Sequence, residues 1–182
     1  MPRAVPSSRL ARSEAQPIID LLEAGMPAEA DWEFCGSWRR QAPDLGDIDI
    51  MVVTPDGSFG SAFCFPEAVQ LIEITDSGRI QNAKGIIVLG RTMVLVDFWA
   101  VTPSMRGAFL MFFTGPRELN RLQRYRARAR GLRLARHGLF DASGRQADNG
   151  TEADIYRLLG MPWIPPERRQ EWAHIPEAVW RA

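Results

Sequence analysis

Asp47 and Asp49 hold alternate positions in a short strand pattern, Asp47-Ile48-Asp49-Ile50-Met51-Val52-Val53, entered directly from Gly46. Side chains at i and i+2 of a strand leave from one face, so the two carboxylates lie side by side. Like charges that close raise each other's pKa unless a cation sits between them. A hard divalent cation with oxygen ligands meets that need, and Mg²⁺ is the usual occupant where a substrate phosphate completes its shell. Asp97 is a third carboxylate, set in the apolar run Val94 to Val101, where an unpaired charge is costly to bury. A metal site shared with Asp47 and Asp49 accounts for it. Three carboxylates can hold two metal ions about 4 Å apart, which activates an attacking oxygen and steadies a leaving one in phosphoryl transfer.

D-x-D at a strand start also arises by chance, with both aspartates facing solvent beside a turn. The upstream residues make the pattern more specific. Gly36-Ser37 supplies a small residue and a hydroxyl where backbone must approach phosphate closely. Arg40 follows, and a guanidinium pairs bidentately with a triphosphate.

The chain has 182 residues, 46% of them hydrophobic, which suits one domain or a domain with a small appendage and argues against wholesale disorder. Its formal net charge is zero, so any nucleic-acid grip must be local. Cys35 and Cys64 are the only cysteines; they form no C-x-x-C, and His137 and His174 are distant in sequence, which argues against structural zinc. Two lone cysteines suit reduced thiols in the cytoplasm. No apolar run approaches a membrane span, and Met1 to Ser13 lacks the apolar stretch of a secretory signal.

Periodicity predicts a helix over Glu14 to Ala24, with apolar Ile18, Leu21 and Leu22 at helical spacing. Strands are expected at Trp32 to Cys35 and Asp47 to Val53, and a helix at Pro66 to Ile74. Ile86 to Leu89 and Thr92 to Val101 read as a hairpin turning at Gly90-Arg91. Met105 to Phe113 is a new, mostly apolar segment, and Glu118 to Arg130 has strong helix formers ending at Gly131. Short strands follow, then a helix near Glu152 to Leu159. Composition shifts near Pro103 from a β-rich to an arginine-rich half, so the expected division is a flexible start at 1–12, a body at 13–103 and a subdomain at 104–182.

These motifs resemble a known family. Gly36-Ser37 with Gly46-Asp47-Ile48-Asp49 resembles the nucleotidyltransferase superfamily signature. Phe112-Phe113-Thr114-Gly115 resembles the Y-F-T-G segment of family X DNA polymerases, and Asn120, Arg121 and Arg124 follow at that family's spacing. Gly131-Leu132 and Gly138-Leu139-Phe140 are similar to its G-L-K-L-N-E-Y-G-L-F stretch. Thr151-Glu152 through Glu167 resembles the T-E-E-D-I-Y ending of bacterial members. The likeness runs from about Ile18 to about Arg169.

The resemblance implies an α+β fold, a nucleotidyltransferase palm with a mixed β-sheet plus a small C-terminal α/β subdomain that binds the nascent base pair and DNA. It implies a DNA polymerase that adds dNTPs to a primer 3′-hydroxyl with two Mg²⁺ ions, Mn²⁺ able to substitute, in repair or short-gap filling. Asp47 and Asp49 would bind both metals; Asp97 would bind one and help deprotonate the hydroxyl. Gly36, Ser37, Arg40 and Gly46 would contact the triphosphate. Phe112, Phe113, Thr114 and Gly115 would line the sugar pocket, Asn120 would reach the base edge, and Arg124 the template strand. Primer–template or gapped DNA and a dNTP are the expected partners of a cytoplasmic monomer with no membrane association. Phe112 and His137 stand where the family has tyrosines, and Arg117 where polymerase beta has an aspartate. About thirty residues precede Gly36, too few for the family's lyase domain, so no lyase activity is expected; Lys84 is the only lysine.

From Arg117 to Arg136 there are eight arginines and one acid, Glu118. Arg117, Arg121, Arg124 and Arg128 fall three or four apart on one helical face. They read as a sequence-independent phosphate grip, against the alternative of a solvated face. His137 is either a DNA contact or a packed or surface histidine. Trp99 and Trp163 read as packing residues, and Cys35 as a small buried one. Two other functions remain: nucleotide transfer to a protein or small molecule, and a non-catalytic DNA-binding relic.

Overall fold

The computed structural model describes residues 9–60 and 63–174. The chain forms β1 (Leu10–Ala11), α1 (Arg12–Gly25), β2 (Asp31–Phe34), the short α2 (Gly36–Arg39), β3 (Asp44–Leu45) and β4 (Asp47–Val53). Then come β5 (Gln70–Asp76), β6 (Gln81–Leu89), β7 (Thr92–Val101), a 3-10 turn at Pro103–Met105, α3 (Arg106–Thr114) and α4 (Arg117–Ala129). The small hairpin β8 (Arg133–Ala135) and β9 (Gly138–Phe140), α5 (Glu152–Leu158) and a 3-10 segment at Pro166–Trp172 complete it.

Five strands make one mixed sheet in the order β2-β4-β7-β6-β5. Every pairing is antiparallel except β4 with β7, which runs parallel. Alternation sorts the side chains into two layers. Ile48, Ile50 and Val52 of β4 and Val94, Val96, Phe98 and Ala100 of β7 are buried against Ile18, Ile19 and Leu22 of α1. The other face carries Asp47, Asp49 and Met51 on β4 and Asp97, Trp99 and Val101 on β7. There α3 covers the sheet's far end, with Phe109 and Leu110 packed on Met51 and Val101. The near end, with the aspartates, is left open.

Helix α3 has a second face. Ala108 and Met111 pack with Leu119, Leu122, Leu139, Ile155 and Tyr156 in a separate core. Close approach is required at Gly107, where a Cβ would fall 2.3 Å from the Thr151 carbonyl carbon. Its N–H donates to the Gly150 carbonyl at 2.7 Å. Thr151 caps α5 by accepting the Asp154 N–H at 3.2 Å.

Three expectations need correction. Pro66 to Ile74 is not a helix: a turn closed by Val69 N–H to the Pro66 carbonyl leads into β5, which pairs with β6. The helix formers Glu67, Ala68 and Gln70 are outweighed by the backbone pairing that a sheet edge offers Ile72, Ile74 and Thr75. The segment 1–12 is ordered from Leu10, because Leu10 pairs with Leu45 and Arg12 begins α1; its residues 1–8, and 175–182 of the C-terminal subdomain, lie outside the described residues. Trp163, read as a packing residue, is half exposed. No helix among the described residues is long and apolar enough to cross a membrane.

A charged chain joins the two cores. Arg39 donates from Nε to Glu33 at 2.7 Å and from Nη2 to Glu152 at 2.8 Å. Arg169 is 0% exposed; its Nε donates to the Ile164 carbonyl at 2.9 Å and its Nη1 lies 2.8 Å from Glu152 Oε1. Glu152 thus neutralises two guanidinium groups from distant parts of the chain. Removing one partner of a buried ion pair costs about 3–5 kcal/mol, a large part of a typical stability of about 5–15 kcal/mol. Glu152→Ala is therefore expected to lose about that much in urea denaturation; a loss below about 1 kcal/mol would mean solvent already compensates both arginines.

Candidate active site

Asp49 and Asp97 are cross-strand partners in the parallel pairing of β4 and β7, and Asp47 is two residues before Asp49 on the same face. Asp47 is exposed, while Asp49 and Asp97 are partly covered. Burial, then the charges of Asp47 and Asp97, push the Asp49 carboxyl up to about 7. Asp97 is also raised, mainly by burial, with Asn82 and Lys84 opposing. Asn82 Nδ2 donates to Asp97 Oδ1 at 3.3 Å and to the Phe98 carbonyl at 3.1 Å. Lys84, across from Asp97 on β6, lies 3.4 Å from Glu73.

Gly36 is dictated by this cluster. Its φ is +60°, and a Cβ would fall 2.7 Å from Asp49 Oδ2. The left-handed conformation lets α2 turn tightly over the carboxylate. Cys35 is buried, its thiol raised well above the usual range by burial, and its N–H donates to the Asp49 carbonyl at 2.8 Å. Ser37 is buried, whereas Gly46 is exposed at the strand entry.

Beside the aspartates, a cleft of about 640 Å³ is lined by Arg40, Phe112, Phe113 and Gly115, and on its α4 side by Pro116, Arg117, Asn120, Arg121 and Arg124. Arg40 donates from Nη1 to the Thr114 carbonyl and from Nε to Gln170 at 3.2 Å. Its guanidinium pKa is lowered by burial first and then by the positive charges of Arg9 and Arg169. Arg124 lies over the Phe112 ring, 5.4 Å from its centre. Asn120 Nδ2 donates to the Phe112 carbonyl at 2.7 Å, so it braces the segment that carries the aromatic residues. Thr114 departs from the expected contact: it is fully buried, and its hydroxyl accepts from Arg39 Nη1 at 2.9 Å. His137 and Arg128 lie apart from the cleft lining. His137 packs on Phe140, ring centres 5.0 Å apart, and is lowered by burial and by Arg79, Arg133 and Arg136. Arg128 is exposed near the end of α4.

Sequence reasoning missed Arg39, Asn82 and Glu152 and gave Trp99 only a packing role. Arg39 adjoins Arg40 in the motif, but nothing in its spacing marks it as the buried one. Asn82 carries a signal in hindsight: an amide in a strand one residue before Ala83 and two before Lys84 faces the same side as Asp97 once the hairpin is registered.

Two comparisons bear on what this arrangement is. The DNA polymerase beta palm profile matches residues 9–77, and the DNA polymerase beta thumb profile matches residues 109–170. The chain belongs to family X of the DNA polymerases. Curated relatives include DNA polymerase lambda of Rattus norvegicus, 28% identical over 90% of this chain and 33% of the relative. DNA polymerase/3'-5' exonuclease PolX of Bacillus subtilis (strain 168) is 30% identical over 74% of this chain and 23% of the relative. DNA-directed DNA/RNA polymerase mu of Homo sapiens is 36% identical over 50% of this chain and 20% of the relative. The chain thus spans about a third or less of these relatives. The palm match takes in Asp47, Asp49 and the Gly36-Ser37 turn; the thumb match takes in the aromatic segment and the arginine helix.

The donor set suits a hard cation in kind: three carboxylates, oxygen-only, on one face. They do not form a closed cage, since among the described residues no three acidic, histidine or cysteine side chains are arranged to hold an ion. A carboxyl raised from the usual range to about 7 makes the metal-free fold bind more protons than the unfolded chain between about pH 4 and 7. Stability therefore falls as pH rises through that window, by at most about 1.4 kcal/mol per pH unit. In EDTA, Asp49→Asn is expected to flatten this slope and to be the more stable protein at pH 8. Parallel urea midpoints for both proteins from pH 5 to 8 would remove Asp49 as the cause.

Proposed function

We propose that this chain is a DNA polymerase, extending a primer 3′-hydroxyl with dNTPs by a two-metal mechanism, in DNA repair or short-gap filling. The observation that carries it is the placement of Asp47, Asp49 and Asp97 on one open sheet face beside a cleft walled by arginines and aromatic rings. Phosphoryl transfer needs acidic oxygens for the metals and cations for the phosphates, held apart but adjacent. The family membership supports the same reading.

Asp47, Asp49 and Asp97 would hold Mg²⁺, or Mn²⁺ in its place, which when bound lowers the charge barrier to attack on the α-phosphorus. In the step, the 3′-oxygen bonds to the α-phosphorus and the bond from that phosphorus to the bridging oxygen breaks, releasing pyrophosphate. Asp97 takes up the hydroxyl proton. Its Oδ1 accepts from Asn82 Nδ2, which orients the carboxylate. Arg40 spends Nη1 and Nε on Thr114 and Gln170, leaving Nη2 to meet a phosphate oxygen. Gly46, exposed where the strand begins, lets backbone approach the triphosphate. Phe112 and Phe113 would line the sugar pocket.

Arg117, Arg121, Arg124 and Arg128 are exposed along α4 and would meet DNA phosphates. This helix has 13 residues, so it is about 20 Å long and spans only a few base pairs. A grip that short suits addition of one or a few nucleotides per encounter.

Two outcomes are expected. Asp47→Ala, Asp49→Ala and Asp97→Ala each lose roughly a thousandfold or more in primer extension with Mg²⁺ while keeping their circular dichroism, because each removes a metal ligand. Near-normal turnover in Asp97→Ala would remove it from the reaction. The assay, run with and without template and with each dNTP and NTP, also separates DNA synthesis from transfer to another acceptor. For DNA binding, Arg117→Ala with Arg128→Ala is expected to flatten the log–log salt dependence by about two units. An unchanged slope would make this face a merely solvated one.

A further inference from the structure

We propose that Trp99 is a positioning residue: its indole N–H holds the Asp49 carboxylate in the orientation that receives a metal ion. The inference rests on the reading of Asp49 as a metal ligand.

Trp99 lies on β7 two residues beyond Asp97, on the face that carries the aspartates. Its Nε1 donates to Asp49 Oδ1 at 3.4 Å. The other oxygen, Oδ2, sits against Gly36, where a Cβ would come within 2.7 Å. Asp49 therefore has a donor at Oδ1, while Oδ2 lies beside a position that only glycine leaves free. Asp47, two residues away, is exposed, and no side-chain hydrogen bond to it is seen among the described residues. Of the two strand aspartates, Asp49 alone comes to its ligand prearranged.

The indole is itself fixed. It packs on Phe113 with ring centres 4.7 Å apart and on Phe109 at 5.9 Å, and the Arg136 guanidinium lies 6.0 Å from its ring centre. A ring confined on several sides loses little further freedom when it donates a hydrogen bond. Phe113 in turn lines the cleft, so the ring that steadies the metal ligand also backs the wall of the nucleotide pocket.

The choice of donor is chemically apt. An arginine or lysine at this place would orient Asp49 but would also cancel part of the negative charge the metal needs. An indole N–H donates without charge, cannot accept, and does not titrate. It aligns the carboxylate and leaves its charge to the ion. Groups that hold a metal's ligands typically affect affinity or rate by about 10- to 100-fold when removed.

The test is calorimetric titration of Mn²⁺ alone into four proteins: the unaltered chain, Asp49→Asn, Trp99→Phe, and a chain in which the Trp99 indole is replaced by benzothiophene. The last keeps the ring's size and removes only the N–H, so it answers where Trp99→Phe loses packing. Both Trp99 replacements are expected to bind Mn²⁺ about tenfold more weakly. In primer extension, both are expected to lose a similar factor in kcat, with KM for dNTP within about twofold. Should both bind Mn²⁺ like the unaltered chain while Asp49→Asn binds weakly, the role of Trp99 is overturned and the metal site stands. Weak binding by Trp99→Phe but normal binding by the benzothiophene protein would assign the effect to packing and overturn the hydrogen bond. If Asp49→Asn binds Mn²⁺ normally, the metal reading falls and this inference falls with it.

Discussion

Two carboxylates face each other across the parallel pairing of β4 and β7, and the rest of the molecule answers to that. Like charges about 5 Å apart repel by about 3 kcal/mol at an effective dielectric near 20. A domain with about 5–15 kcal/mol of stability has little room for such a term. The pairing survives because its opposite face is wholly apolar. Ile48, Ile50 and Val52 alternate with the aspartates on β4, and Val96 and Phe98 flank Asp97 on β7, all sealed under α1. Each strand residue that buries a methyl group against α1 fixes its neighbour in the acidic row. Shifting the register by one residue would put Asp49 into the α1 core, so the hydrophobic layer holds the acidic site in place.

The counterweight is a cleft lined by arginines. Asp47, Asp49 and Asp97 share one face of the sheet; Arg40, Arg117, Arg121 and Arg124 line the cleft. Burial, reinforced by like charges, disfavours the charged form of both groups: Asp47 and Asp97 add to it at Asp49, and Arg9 and Arg169 at Arg40. On the proposed reading, a metal–nucleotide complex would carry both charges at once and relieve both. A membrane surface or a purely anionic ligand would relieve only the second.

Much of the acidic site was legible in sequence because period-two alternation is local. Asp47 and Asp49 needed only their spacing, and the strand reading of 47–53 matches β4. Asp97 needed the further observation that one acid interrupts an apolar strand. The arginine helix was legible from spacing as well, since Arg117 to Arg128 keep one exposed stripe while Leu119 and Leu122 are buried. What escaped was decided by distant parts of the chain. Arg39 and Arg40 are neighbours of the same chemistry, yet Arg39 is committed to Glu152, 113 positions away, while Arg40 reaches the cleft. Thr114 sits inside a pocket-lining motif but turns inward to Arg39. β5 read as helix because its propensities are mixed; its partner β6 follows across only Ser77-Gly78-Arg79-Ile80, a local hairpin signal that the helix formers Glu67, Ala68 and Gln70 obscured.

The segment Phe109 to Gly115 ties the two cores to the pocket. Phe109 packs on the sheet beside Met51, Met111 packs in the second core, and Phe112, Phe113 and Gly115 line the cleft. Seven consecutive residues thus belong to both cores and to the pocket. Packed cores have discrete arrangements and resist gradual deformation. Any displacement of α3 relative to the sheet must then change the pocket wall and the Trp99 contact to Asp49 together. Arg39 resists such sliding from the opposite end, since it binds Glu33 of β2 and Glu152 of α5 at once.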